Sequence, residues 1–99
     1  MVKQNKGGGG GTNFHNVTIC TTPQKLIDAL GEPRYFFNDG SDKTNMDYSC
    51  ITDNGIEFTI YDWKEYKPLN MNTKYSFHIG GFNRGECAEA VLKLEMLLK

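Results

Sequence analysis

The strongest constraint on the fold is the stretch at 56–61, where Ile56, Phe58 and Ile60 alternate with Glu57, Thr59 and Tyr61. A period of two is that of a β-strand with one face on a core. Asn54-Gly55 precedes it, a turn signal that makes residues 46–52 its hairpin partner. A two-residue turn would put Ile51 opposite Phe58, but also Ser49 opposite Ile60 and Asp47 opposite Asp62, a like-charge pair on the face to be buried. A three-residue loop, Asp53-Asn54-Gly55 with Gly55 in the left-handed conformation, instead sets Cys50 against Phe58 and Tyr48 against Ile60. A slip of one residue exchanges the two faces, so the second register is the expected one. Its core face is Met46, Tyr48, Cys50, Ile56, Phe58 and Ile60. The other face carries Asp47, Ser49, Ile51, Glu57, Thr59, Tyr61 and Trp63.

Elements for both sides of this hairpin can be read from the flanking sequence. Residues 14–20 form a short strand with Phe14, Val17 and Ile19 as its apolar members. A helix follows over 23–30: Thr22 is its N-cap, Pro23 occupies the first turn, Leu26, Ile27 and Leu30 make one apolar stripe, Gly31 ends it and Pro33 blocks continuation. Residues 34–37 read as a short extended segment. Asn38, Asp39 and Asp42 lie in a polar loop without the spacing of a calcium-binding loop. Pro68 marks a connection after the hairpin.

A third hairpin-type strand covers 75–79 and ends at Gly80-Gly81. A helix over 86–98 follows, with Cys87, Val91, Leu94 and Leu98 at helical spacing and Glu86 and Glu89 at its positive end. The expected fold is α+β: a three- to four-stranded, mostly antiparallel sheet with two helices on one face, in the order β-α-β-β-β-α.

Composition enters where it excludes function. Ninety-nine residues make one domain, and five successive glycines at 7–11 lack side chains to bury, so residues 1–12 are expected to be a disordered arm and 13–99 the domain. That arm lacks the Gly-Lys-Ser/Thr of a phosphate-binding loop. Eleven basic residues against twelve acidic ones, a net charge of -1, leave no concentrated basic face, so direct nucleic-acid binding is not expected. Cys20, Cys50 and Cys87 are odd in number and lack metal-ligand spacing; neither zinc nor a disulfide framework is expected, and no cofactor is called for. With no apolar run long enough to span a bilayer and no signal-like start, a soluble cytoplasmic protein is expected.

The residues without an evident packing role cluster in two places. Tyr61, Asp62, Trp63 and Lys64 end the central strand; Tyr61 and Trp63 are either an interface patch or cover for the sheet beneath a loop, and Asp62 beside Lys64 is either part of that patch or a charge pair at the strand end. His78, Gly80, Gly81 and Arg84 follow the third strand. Backbone N–H groups at Gly80-Gly81 with Arg84 nearby would suit an anion, and His78 with Trp63 a base; the plainer reading makes the two glycines a tight turn. No serine or cysteine nucleophile accompanies His78 in a recognisable setting, so no catalytic residue is assigned.

IYDWK at 60–64 and HIGG at 78–81, joined by a short polar loop, resemble a group of small proteins that recur in tailed bacteriophages and large DNA viruses. The similarity covers about 22–81 and includes the Thr-Pro helix start and the Gly-Glu-Pro that closes that helix. The group has tryptophan before the histidine where this chain has Phe77, and it lacks the glycine arm. The resemblance implies a non-catalytic viral accessory protein that binds and neutralises a host component, a defence protein, in the host cytoplasm. Two alternatives stand beside it: sequestration of a small nucleotide signal, and a structural role as a homodimer closed by the aromatic face.

Overall fold

The computed structural model describes residues 2–5, 11–41, 43–63 and 66–98. Lys64, Asp42 and the glycines at 7–10 fall outside them, so the expectations placed on those residues are not addressed. The chain runs β1 (Val2–Gln4), β2 (Asn13–Thr21), α1 (Pro23–Leu30), β3 (Tyr35–Phe36), β4 (Met46–Thr52), β5 (Glu57–Tyr61), β6 (Tyr75–Gly81) and α2 (Arg84–Leu98). The α+β class is as expected, but among the described residues the sheet has six strands, in the order β1-β4-β5-β6-β2 with β3 also on β4, and each of these pairings is antiparallel.

The hairpin adopts the three-residue loop: Cys50 faces Phe58, Tyr48 faces Ile60, and Gly55 has φ 88°. Hydrogen bonds from the Thr52 N–H to Ile56 O (2.9 Å) and from the Gly55 N–H to Thr52 O (3.1 Å) close it. Met46, Tyr48, Cys50, Phe58 and Ile60 are buried completely, with Leu26 of α1 and Cys87, Ala90 and Leu94 of α2 in the same cluster. Both helices therefore cover one face of the sheet. α1 spans the predicted residues, and the Thr22 hydroxyl accepts from the Lys25 N–H at 3.1 Å as its cap.

The largest departure from the sequence expectation is β1. Val2–Gln4, assigned above to a disordered arm, pairs with the far end of β4 and places Val2 in the core. The Gln4 Nε2 group donates to Leu30 O (2.7 Å) and Glu32 O (2.6 Å), and the Tyr48 hydroxyl donates to Gly31 O (2.7 Å). Carbonyls at the end of a two-turn helix have no partners within it. Here β1 and β4 supply them, which fixes α1 to the sheet.

Candidate functional site

The helix-free face is built by strand register. Directly opposed residues in an antiparallel ladder share a face, and the pairings Tyr35↔Asp47, Asp47↔Tyr61, Tyr61↔His78 and His78↔Thr18 lay one row across five strands. The next row is Ser49, Thr59, Gly80 and Phe14. Phe14 and His78 stack with ring centroids 3.9 Å apart and planes 8° from parallel. Tyr61 meets His78 edge-on at 5.4 Å and Trp63 edge-on at 6.2 Å, and Trp63 lies 6.2 Å from His78 at 25°. Four rings from β2, β5, the residue pair after β5, and β6 thus form one group, with Trp63 42% exposed.

Polar groups border these rings. Arg34 grips Asp47 through Nε to Oδ1 (3.0 Å) and Nη2 to Oδ2 (3.3 Å), and the Lys43 ammonium lies 5.6 Å from the centre of the Trp63 ring. A shallow cleft of about 290 Å³ is walled by Arg34, Asp47, Thr59, Tyr61, Trp63 and Gly80. Burial lowers the His78 pKa below its usual 6.5 and, with the Asp47 charge as a smaller contribution, raises that of Tyr61, so both rings favour their neutral forms. Among the described residues no three His, Cys, Asp or Glu side chains are grouped to hold a metal.

The structure divides the residues singled out in the sequence. Tyr61, Trp63 and His78 come together as the aromatic group. Asp62 does not join them: it continues the inward phase of Phe58 and Ile60 and is 1% exposed. Its carboxylate accepts from the Asn45 N–H (2.8 Å), the Met46 N–H (3.0 Å) and Asn45 Nδ2 (3.0 Å). The Asn45 amide also donates to Lys67 O (3.0 Å) and accepts from the Gly40 N–H (3.0 Å). Asp62 is therefore a buried clamp that joins the end of β5 to the start of β4, and its rigidity sets where Trp63 stands.

Gly80 and Gly81 are a second correction. They are strand residues, not a turn: β6 continues through both, and neither has a positive φ. A Cβ on Gly80 would collide with Thr59 Oγ1, and one on Gly81 would lie 2.5 Å from Cys87 Sγ. Glycine is required here by close approach. α2 begins at Arg84, two residues earlier than expected, and the Asn83 side chain caps it by accepting from the Glu86 N–H at 2.8 Å. The glycine pair and Arg84 therefore form no common cradle, and Arg84 is an exposed residue outside the cleft.

The sequence marks Phe14, with Val17 and Ile19, only as an apolar member of its strand, and its even position against their odd ones is the signal that it belongs to the opposite face. The hairpin register already places Asp47 on this face, whereas Arg34 and Tyr35 carry no such signal, since their roles depend on β3 pairing with β4.

Comparison with known protein families, with curated proteins and with solved structures finds no match to this chain.

Proposed function

We propose that this chain is a non-catalytic binding protein that recognises a host protein through its helix-free sheet face and neutralises it. The observation that carries this reading is the gathering of Phe14, His78, Tyr61 and Trp63 into one ring group on a face that neither helix covers. An exposed tryptophan, a half-buried tyrosine and an arginine beside them are the residue types that dominate protein interfaces. The resemblance of IYDWK and HIGG to small phage and large DNA virus proteins supports a viral origin, a defence protein as the target, and the host cytoplasm as the place of action. Three free thiols, with Cys20 exposed, fit a reducing compartment. A recognition role is also favoured over catalysis by the surroundings of the reactive groups: His78 is enclosed by rings, and the thiols of Cys50 and Cys87 are buried, with burial pushing Cys50 up to about 12.

The test is recovery of a stoichiometric partner from host lysate, repeated with the purified partner and with Trp63→Ala. Loss of binding by a variant that still unfolds cooperatively, its melting temperature lowered only modestly, is the expected result; retained binding removes this face.

The cleft beside Tyr61 and Trp63 favours a second reading, a nucleotide signal held there by stacking, with Arg34–Asp47 at its edge. Calorimetry against cyclic di- and trinucleotides separates the two, because sequestration returns the compound unchanged.

A further inference from the structure

β2 closes one side of the sheet: β6 pairs with its inner edge, and no described strand meets its outer edge. The first half of that edge is broken by the irregularity between Phe14 and Thr18, where Asn16 has φ 62°, and such a break discourages strand addition. The second half, Thr18, Ile19, Cys20 and Thr21, pairs regularly with β6 and has none of the prolines or lysines that guard the edges of monomeric sheets.

Alongside this open half runs a groove of about 690 Å³, lined by Cys20, Leu92 and Met96 and rimmed by Lys25, Lys74 and Glu95. Leu92 and Met96 stand one turn apart on α2 and are 64% and 72% exposed, whereas Cys87, Ala90 and Leu94 already supply the stripe that α2 buries on the sheet. α2 thus carries a second apolar stripe, directed to the same side as the open strand edge.

We propose that the occupant of this groove is a second copy of the chain, paired antiparallel through the 18–21 half of β2 about a two-fold axis, with Leu92 and Met96 of the two α2 helices packed together. Three features select a second copy. An antiparallel edge is complementary to itself, since a two-fold axis sets N–H groups opposite C=O groups whatever the side chains. An exposed Leu/Met pair is likewise complementary to its own copy. The rim charges complete the match, because the axis carries Glu95 of one copy toward Lys25 and Lys74 of the other; among the described residues none of the three forms an ion pair within its own chain.

The dimer joins two six-stranded sheets into one, with all four helices on one side and both aromatic groups on the other. Since Phe14 belongs to β2, the two groups lie nearest each other across the axis. Recognition by the aromatic face then becomes bivalent.

The experiment is sedimentation equilibrium on the full chain, with Leu92→Glu/Met96→Glu and Trp63→Ala alongside. A dimer is expected for the wild type and for Trp63→Ala. The double variant, whose substitutions are at exposed helical positions, is expected to keep the wild-type circular dichroism spectrum and a cooperative melt while dissociating at least about thirtyfold more readily. A nitroxide on exposed Cys20 should report a short distance between labels, absent in the double variant. A wild type that stays monomeric overturns the proposal, as does a dimer that survives Leu92→Glu/Met96→Glu or one that Trp63→Ala abolishes. Host-partner binding by a monomer would leave the proposed function intact while removing this dimer.

Discussion

Phe14 lies flat on His78, although in the ladder it stands opposite Gly80. The stack therefore depends on the ring of Phe14 leaning along the sheet over a residue without a side chain. It also shields one side of an imidazole whose other neighbours are Tyr61 and Trp63.

That enclosure predicts a pH dependence. Burial holds the folded-state pKa of His78 below 6.5, so as the pH falls the unfolded chain takes up this proton before the folded one does. The contribution of neutral His78 is fully present above 6.5 and declines as the pH drops from there toward the lower folded pKa. The difference in melting temperature between wild type and His78→Gln should narrow as the pH falls below 6.5. A constant difference would show that the ring is not protected.

Neighbouring residues should respond in opposite ways to alanine. Asp62→Ala leaves the Asn45 and Met46 N–H groups buried without their acceptor and should cost about 3–5 kcal/mol in chemical denaturation. Trp63→Ala removes an exposed ring and should cost under about 1.5 kcal/mol while eliminating partner binding. A small effect of Asp62→Ala on stability would contradict its role as a clamp.

Close approach at Gly80 can be tested by compensation. Gly80→Ala should destabilise the fold by about 1–3 kcal/mol, because its Cβ meets Thr59 Oγ1 in a closed part of the sheet. In a Thr59→Ala background the same substitution should cost much less, giving a coupling measurable by a double-mutant cycle. Equal costs in both backgrounds would place the strain elsewhere.

The thiols should separate by exposure. Cys20, whose side chain shares the helix-free face with Ser76, should react with a disulfide reagent ahead of Cys50 and Cys87, which are buried with raised pKa values and should wait for unfolding. Two fast thiols would mean that α2 does not seal Cys87 against β6.

Much of this architecture can be traced to short-range patterns. The charge conflict between Asp47 and Asp62 in the rejected register, together with Gly55, selects the hairpin that the structure contains. Thr22, Pro23 and Gly31 delimit α1 to the residue. The same alternation that sends Phe58 and Ile60 inward turns Tyr61 and Trp63 away from the helices. Turn chemistry and side-chain period act over a few residues, so the local chain carries them in full.

Asp62, Gly80, Phe14 and β1 show where that information stops. Asp62 has the inward phase of its strand, yet a carboxylate there is acceptable only because Asn45 and Met46, 17 and 16 residues away, present N–H groups to it. Gly80 resembles a turn residue until Thr59 is placed beside it, and β1 has too few residues to show a period before it meets β4. Local sequence encodes the phase of each strand, whereas the identity of the group it meets depends on strands brought together from distant parts of the chain. The aromatic face exists because those separate phases coincide in one sheet.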